Sequence, residues 1–292
     1  IWIFDSSQSA AIYDNDRFTV VDRVYDKIGY ESIGSYATIL RITKDGTATS
    51  SITWNTAGTV ILDMYGSSPQ THGQCILLDG ANYNVVDGFI LRGAKNNGLH
   101  IGSYSSYNKI VNNTVLECSV NGIYVASSDY NNISANEVFG TEGNTVIISA
   151  GSQYNSVTNN ILYSVTSWSI NSYGGDNVFS GNIIFDTSQI LFSSNADNNT
   201  VRDNMLFSLS YHGIGLVSTA DNNFILNNTI INANGDGIFI DGTGNTIRNN
   251  IITNVIDGID DNGTSNSYDF NFFYNNTEDI DGGLSIGPNS IT

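Results

Sequence analysis

The sequence predicts an all-β solenoid, in which the chain winds into stacked coils of about 22–24 residues. Two observations predict it: a repeated phrase, and the turn-forming residues between its copies. The phrase occurs nine times between Asn84 and Asn266. It consists of an Asn, an apolar residue two places on, a second Asn at the fifth place and an apolar residue at the seventh, with Phe89 replacing the second Asn in the first copy. Successive copies begin 21 to 24 residues apart, which is typical of coils in a repeat protein.

Each phrase contains two short strand signals and follows a third. In the copy that begins at Asn108, Ile110 and Val115 mark the first two, and the Gly-Leu-His-Ile run at residues 98–101 is the third. Apolar residues at these positions predict short strands with one face turned inward. Asn, Gly, Ser, Asp and Thr between them favour turns, and no helical periodicity lasts long enough to form a helix.

Stacking is expected to bring equivalent residues into columns. A single coil cannot bury its apolar face, but at the strand spacing of about 4.8 Å it shares a core with its neighbours. In a column of Asn, each amide can donate to the carbonyl oxygen of the next, which satisfies polar groups that are costly to bury. We therefore assign the two Asn columns a structural role. The predicted ladder residues are Asn108, Asn113, Asn131, Asn136, Asn155, Asn160, Asn177, Asn182, Asn199, Asn204, Asn223, Asn228, Asn245, Asn250, Asn266 and Asn271.

A family resemblance agrees with this fold. The phrases NKIVNNTVLECSVNGIYVASS, from Asn108, and NTIRNNIITNVIDGI, from Asn245, resemble the parallel β-helix repeat of periplasmic and extracellular carbohydrate-associated proteins. The stretches GTATSSITWNTAGTVILD and ANYNVVDGFILRGAKNNGLHI are similar to the opening coils of pectate-lyase-like and chondroitinase-B-like solenoids. The resemblance implies a right-handed parallel β-helix. It implies no single activity, because this repeat serves lyases, epimerases, hydrolases, tailspikes, adhesins and surface-layer proteins alike.

Two regions are predicted, an N-terminal cap or assembly segment at residues 1–35 and a parallel β-helix at residues 36–292. The first region has charges of both signs and almost no Asn. A cap is expected because an exposed last coil offers unpaired strand edges to its neighbours. The segment after Asp279 has little charge, and we expect a poorly capped C-terminal end that favours stacking.

Composition limits the partners and the location. A formal net charge of −18 argues against nucleic acid, anionic membranes and acidic polymers as partners. No run approaches the roughly 18 apolar residues of a membrane span. We expect an extracellular or cell-surface protein whose leader has already been removed. Cys75 and Cys118 occupy different places in their coils, which favours buried free thiols. Six sequons are candidate glycosylation sites: Asn112, Asn132, Asn198, Asn227, Asn262 and Asn275.

Three basic residues are the candidates for lyase chemistry. Lyases on the resembling fold use Lys, Arg or His to remove a proton beside a carboxylate. Arg92, Lys95 and His100 form the local cluster with that composition, and His100 alternates with inward apolar residues. His72, His100 and His212, considered singly, are interpreted as surface residues without a catalytic role.

An acidic cluster near the C-terminus supplies the calcium candidates Asp257, Asp260 and Asp261. Carboxylates bind Ca²⁺, and paired carboxylates about 5–10 Å apart serve glycoside hydrolysis. The spacing matches neither an EF-hand loop nor a calcium-binding nonapeptide repeat. A solvated acidic end without a cofactor is therefore the preferred interpretation, with calcium as the alternative.

An apolar column at the eighth place of the phrase is the predicted assembly surface. If the seventh place points inward, the pleat turns the eighth outward and forms a stripe along the solenoid, and such a stripe favours a contact surface. In the alternative, the chain bends there and the rings stack inside. The assembly residues are Leu116, Phe139, Tyr163, Phe185, Phe207, Ile231 and Tyr274.

The stripe and the missing catalytic set favour an extracellular structural protein. In this hypothesis the chain is a subunit of a filament, sheath or layer that self-associates into a homopolymer through the stripe and the coil ends. The alternative is a polysaccharide-active enzyme, a lyase or hydrolase, or a glycan-binding adhesin on the same fold. Rows of Tyr, Asn and Asp that could line a sugar groove favour that alternative.

Overall fold

The computed structural model describes residues 17–26, 31–33, 36–64, 72–281 and 287–292. These residues form short strands joined by turns and bends, without an α-helix. None of them therefore belongs to a helix that could cross a membrane. The strands wind into a right-handed parallel β-helix, so the predicted fold class is confirmed.

Three parallel sheets run along the solenoid, and the coils contribute one strand to each. The first sheet contains Tyr36–Ile42, His72–Asp79, Asn97–Gly102, Asn121–Val125, Val146–Ile148, Ile170–Ser172, Ile190–Phe192, Ile214–Leu216, Ile238–Ile240, Asp257–Asp261 and Glu278–Ile280. The second contains Asn84–Asp87, Lys109–Val111, Asn132–Ser134, Ser156–Thr158, Val178–Ser180, Thr200–Arg202, Phe224–Leu226, Thr246–Arg248 and Ser267–Asp269. The third contains Ile90–Arg92, Thr114–Leu116, Glu137–Phe139, Ile161–Tyr163, Ile183–Phe185, Met205–Leu209, Thr229–Ala233, Ile251–Thr253 and Phe272–Tyr274.

The N-terminal strands extend these sheets. Ile52–Asp63 is long enough to pair with both the second and the third sheet, and Arg17–Asp26 pairs with it in parallel. Glu31–Ile33 pairs antiparallel with Tyr36–Ile42. The remainder of the predicted cap, residues 1–16, 27–30 and 34–35, lies outside the described residues, and the predicted boundary at residue 35 stays a prediction.

The C-terminal segment does contact the last coil. The backbone N–H of Ile291 donates to the carbonyl of Asn271 at 2.9 Å, and the N–H of Phe273 donates to the carbonyl of Ile291 at 2.8 Å. The third sheet thus continues onto this segment, and the expectation of a poorly capped end is wrong for that sheet.

The core lies between the three sheets. The second and seventh places of the phrase point inward, as Ile110 and Val115 show, and both are fully buried. Cys75 and Cys118 are buried free thiols, as predicted, and burial raises the pKa of Cys118 to about 12.

The Asn column between the second and third sheets is hydrogen-bonded from Asn113 to Asn271. In each coil the side-chain Nδ2 donates to the Oδ1 of the next Asn, over seven consecutive steps of 2.9–3.1 Å. The same Oδ1 accepts the backbone N–H of the previous Asn, as in Asn160 to Asn182 at 3.0 Å. Every buried amide in this column therefore has partners.

The Asn column before the second sheet is bonded less completely. Amide-to-amide bonds link Asn108 to Asn177 in three steps. Beyond them the Oδ1 atoms still accept backbone N–H groups at 2.7–2.9 Å. The Nδ2 atoms of Asn199, Asn223 and Asn245, however, are buried without a hydrogen-bond partner among the described residues.

Candidate active site

The outer face of the first sheet carries different chemistry in successive coils. Its parallel register places one outward position of each strand in a single column. From the N-terminal end this column reads Leu77, His100, Tyr124, Ile147, Asn171, Leu191, Gly215, Phe239 and Asp260. Ionisable groups gather at its two ends.

At the N-terminal end, His100 lies between an ion pair and a tyrosine ring. Arg41 Nε donates to Asp79 Oδ2 at 3.1 Å, and hydrogen bonds from Ser103 and Arg41 hold the pKa of Asp79 below its usual range. The His100 ring stacks on Tyr124 with centroids 4.9 Å apart. Burial lowers the pKa of His100 to about 4, against the opposing charge of Asp79. His100 is therefore neutral at pH 7, and its Nε2 has no hydrogen-bond partner among the described residues.

The three lyase candidates lie on different parts of the coil. Arg92 is on the third sheet, where it forms an ion pair with Asp63. Lys95 is in the following turn, and His100 is on the first sheet. The structure thus brings His100 close to Asp79 and Tyr124, while Arg92 pairs with Asp63 on another sheet.

At the C-terminal end, His212 and Asp236 are in contact across adjacent coils. Both are buried, and His212 is 8 % exposed. Its Nδ1 lies 3.0 Å from the backbone N of Asp236 and 3.0 Å from Asp236 Oδ2. The ring stacks on Phe239 at 5.0 Å. A protonated Nδ1 can donate to the carboxylate, and a deprotonated Nδ1 can accept the N–H, so this nitrogen has a partner in either state.

Asp257 follows Asp236 in the next coil, and the two carboxyl groups titrate differently. The backbone N–H of Asp257 donates to Asp236 Oδ1 at 3.2 Å. Burial opposes ionisation of Asp236, but hydrogen bonds from His212 and Asp257 outweigh it and hold its pKa below the usual range. Burial, and then the charges of Asp236, Asp281 and Glu278, raise the pKa of Asp257 to about 6. Two neighbouring carboxyls whose pKa values are pushed apart can act as an acid and a base.

The calcium candidates make local hydrogen bonds. Asp260 Oδ1 accepts from Asn262 Nδ2 at 3.1 Å, and Asp261 Oδ1 accepts from Gly263 N and Asn266 Nδ2, both at 2.8 Å. Burial, followed by the charge of Asp236, raises the pKa of Asp260. No three His, Cys, Asp or Glu side chains of the described residues are grouped to hold a metal ion. Asp260 instead belongs to the outer column beside Phe239.

A groove of about 430 Å³ opens at the turns that lead into the first sheet, and two of its lining residues, Ser210 and Asn234, lie two positions before His212 and Asp236. Four residues, 186–189, make this turn in one coil, whereas the equivalent turns on either side, 164–169 and 208–213, have six. The shorter turn leaves a notch between its neighbours.

The eighth-place column points outward, so the alternative in which its rings lie inside is wrong. The rings of Phe139, Tyr163, Phe185 and Phe207 stack at 4.8–5.0 Å, which leaves each partly buried. Leu116 and Ile231 are also partly buried, and Tyr274 is 64 % exposed. Whether this stripe is an assembly surface stays a prediction.

The sequon Asn residues lie mostly at exposed bends. Asn132 is on a strand of the second sheet and half-buried, whereas the other five are exposed. Four of these five have left-handed backbone, with φ of 55–57°: Asn112, Asn198, Asn227 and Asn275. Their modification stays a prediction.

Sequence reasoning missed the grouping of His212 with Asp236 and Asp257. The expectation that His212 is an incidental surface residue is wrong, because it is buried against Asp236. The signal was present: these residues follow one another at 24 and 21 residues, which are coil lengths. Asp257 also lies close along the chain to Asp260 and Asp261, and a grouping by that nearness hides its relation to Asp236.

A column of tyrosines was also missed. Tyr83, Tyr107, Tyr130 and Tyr154 directly precede the leading Asn in four successive coils, and their rings stack at 4.8–4.9 Å. All four have left-handed backbone, with φ of 56–61°, an unusual conformation for a bulky residue. The spacing of 23 or 24 residues between them is the signal.

The sequence matches a known protein family over most of its length. The family described as "Right handed beta helix region" matches residues 3–162 and 50–204, more than half of the 292 residues. The chain belongs to this right-handed β-helix family. A second family, described as "Periplasmic copper-binding protein (NosD)", matches residues 170–283. No curated protein matches the sequence significantly.

Several solved structures are similar in fold. The A-module of a mannuronan C-5 epimerase from Azotobacter vinelandii has a TM-score of 0.64 at 12% identity, covering 88% of this chain and 87% of that one. DFA-IIIase from Arthrobacter chlorophenolicus A6 in complex with GF2 has a TM-score of 0.62 at 15% identity, covering 85% and 68%. An alginate lyase from Paenibacillus sp. str. FPU-7 has 0.55 at 14%, covering 98% and 94%. At these identities the likeness shows the fold alone.

Proposed function

We propose that this chain is a carbohydrate-active enzyme that breaks glycosidic bonds by acid–base catalysis at Asp236 and Asp257. The observation that carries the proposal is the hydrogen bond from the Asp257 backbone N–H to the Asp236 carboxylate across adjacent coils, with the pKa values of the two carboxyls displaced in opposite directions and His212 in contact with Asp236. A general acid is most effective when its pKa is near the working pH, and a general base must be ionised there.

The two carboxyls have complementary roles in this mechanism. Asp257 donates its proton to the glycosidic oxygen as the carbon–oxygen bond breaks. The Asp236 carboxylate accepts a proton from the water that attacks the sugar carbon. His212 positions Asp236, because its Nδ1 lies 3.0 Å from the carboxylate.

The comparisons support glycan chemistry more than a filament. An epimerase, a lyase and DFA-IIIase are among the structures of the same fold. The periplasmic description of the NosD family supports a location outside the cytoplasm, in the periplasm or beyond the cell.

An activity screen with matched variants tests the proposal. Purified protein is incubated with neutral and uronate-containing glycans, and products are followed by reducing-end assay and mass spectrometry. We expect Asp257→Asn and Asp236→Asn to lower kcat by about 100-fold or more, since acid–base groups contribute roughly 10²–10⁴-fold. Asp203→Asn is the control. Asp203 is an exposed bend residue with φ of 58°, and equivalent bends carry Asn, so this change removes one carboxylate far from the site.

Two results would contradict the proposal: no turnover on any glycan, or turnover that is unchanged in Asp257→Asn. The same screen tests the lyase alternative at the other end of the column. If an unsaturated uronate product forms and disappears in His100→Ala or Arg92→Ala, the reaction belongs to the His100 end.

Assembly through the eighth-place stripe is a second proposal, supported by the outward position of that column and by the exposure of Tyr274. Light scattering and electron microscopy of concentrated protein test it. A monodisperse monomer at high concentration, in the presence of salt and calcium, would remove it.

A further inference from the structure

The groove beside the carboxyl pair has hydroxyl and amide walls. Thr187, Ser208, Ser210, Asn232 and Asn234 line it, together with the carboxylate of Asp186 and two aliphatic side chains. It spans four coils, from Val165 to Asn234, which is about 15 Å at the strand spacing. That length suits a short oligosaccharide lying along the solenoid axis.

The groove and the proposed site are neighbours along the chain. Ser210 lies two residues before His212, and Asn234 lies two residues before Asp236, so adjacent coils each carry a groove residue followed by a site residue. A sugar held between Ser210 and Asn234 is therefore next to the acid–base pair.

Two buried polar groups beside this groove lack partners. Thr187 is 2 % exposed and Gln189 is 3 % exposed, and neither Thr187 Oγ1 nor Gln189 Oε1 has a hydrogen-bond partner among the described residues. Gln189 Oε1 lies 3.0 Å from the place that a Cβ on Gly215 would occupy. Gly215 thus leaves the room that the Gln189 side chain occupies on the outer face, and Gln189 Oε1 there is an unused acceptor. Buried polar groups are normally paired, and a ligand hydroxyl is a suitable partner for this acceptor.

The charge around the site selects against acidic sugars. Beyond Lys109 the chain has only two Lys or Arg residues, Arg202 and Arg248, and both lie on strands of the second sheet. The groove contains Asp186, and the site contains Asp236, Asp257 and Asp260. A uronate carboxylate would meet like charges without a nearby Lys or Arg, which is unfavourable in a partly desolvated site.

We infer that the notch at residues 186–189 is a binding subsite for neutral, hydroxyl-rich oligosaccharides and that it excludes uronate polymers. This inference rests on the proposed function and names its substrate class. It separates this chain from the alginate-directed structures of the same fold, although the backbones are alike.

Titration calorimetry tests this subsite. Asp257→Asn protein, in which turnover is suppressed, is titrated with inulin-, xylan- and cellulose-derived oligosaccharides of six units, and with mannuronate and galacturonate oligomers of the same length. We expect at least one neutral oligosaccharide to bind at least tenfold more tightly than either uronate oligomer. Adding Ser210→Tyr, which fills the groove, should weaken that binding tenfold or more. Ser218→Tyr, an exposed serine of the same coil beyond the other end of its first-sheet strand, should leave it unchanged.

The outcomes separate the two proposals. Uronate binding equal to or tighter than neutral binding, or affinity that Ser210→Tyr leaves intact, would overturn the subsite while turnover by the native chain still stands. Groove-dependent binding of a neutral oligosaccharide, without turnover of any glycan by the native chain, would remove the enzyme and leave the subsite. Absence of binding to every oligomer would overturn the subsite. Melting curves of both tyrosine variants establish that the fold is kept.

Discussion

The inner and outer sides of the same strands differ in how closely they follow the repeat. Inside, the seventh place is apolar in coil after coil, as in Val115 and Val138, and the Asn column from Asn113 to Asn271 is bonded at every step. Outside, the equivalent outward position of the first sheet holds His100 in one coil, Gly215 in another and Asp260 in a third. A buried side chain must match the coils above and below it because water cannot satisfy it. An outward side chain is free of that constraint, so functional chemistry on this fold is to be sought where the outer column departs from the repeat.

The largest loss of stability is expected from a substitution that interrupts the inner Asn column. Asn182 is fully buried, donates to Val157 O and Asn204 Oδ1 at 2.9 Å, and accepts from Asn160. Asn182→Ala leaves several buried groups unpaired, and we expect a loss of about 3–5 kcal/mol in the free energy of unfolding. Urea unfolding with hydrogen exchange measures it.

The other Asn column supplies the comparison for that variant. Asn223 is equally buried, but its Nδ2 has no partner among the described residues, so Asn223→Ala should cost about half as much or less. Equal losses for the two variants would show that the amide-to-amide bonds add little beyond the backbone contacts.

An effect of intermediate size is expected at Asp257, whose protonation makes activity and stability depend on pH. Catalysis as proposed needs Asp257 protonated, and its pKa is about 6, so activity should fall about tenfold per unit as the pH rises well above 6. The free energy of unfolding changes with pH in the same direction as the activity. The folded-state pKa lies above the unfolded value of about 3.9, so the folded chain holds this proton more tightly, and stability falls as the pH rises from about 4 to about 6.

Asp257→Asn should remove the contribution of Asp257 to both pH dependences, since the amide does not titrate. Carboxyl NMR titration of the native protein measures the pKa directly. A value near 4 for Asp257 would remove the acid role assigned to it.

The smallest change in stability is expected in the tyrosine column, where the same surface residue recurs in four successive coils. Tyr130 stacks on Tyr107 at 4.8 Å and on Tyr154 at 4.9 Å, with φ of 57°. Tyr130→Asn loses two stacking contacts of roughly 0.5–1.5 kcal/mol each and relieves a left-handed strain of about 1–2 kcal/mol. We expect a net loss below about 1 kcal/mol in thermal unfolding.

Tyr104 is the matched residue for this test. It has φ of 65° and is 78 % exposed, but it belongs to none of the ring stacks of the described residues. Tyr104→Asn should therefore stabilise the protein slightly. If Tyr130→Asn stabilises it equally, the stacked rings contribute nothing.

The fold could be predicted from sequence because its determinants recur. Asn at two fixed places and apolar residues between them predict the coil, the inward faces and the Asn ladder between the second and third sheets, whereas the other ladder is bonded amide to amide only from Asn108 to Asn177. The carboxyl pair is harder to recognise in this way, because Asp does not recur at this place in the other coils and only the separation of 21 residues links Asp236 to Asp257. Their pKa values depend on burial and on charges from several coils, which only the register of the sheets reveals. The groove depends on a turn two residues shorter than its neighbours, a difference that matters only once the coils are aligned.

The bend between the second and third sheets has one left-handed residue followed by a ladder position in each coil, as Asn112 before Asn113 and Asp203 before Asn204 show. Differences in coil length therefore fall in the other two corners. Insertions and deletions at those corners leave the register of the columns intact. The turns that line the groove can therefore be changed by evolution or by loop exchange without disturbing the core. Inserting two residues within 186–189 would close the notch, so that the length of this turn alone would decide whether an oligosaccharide binds.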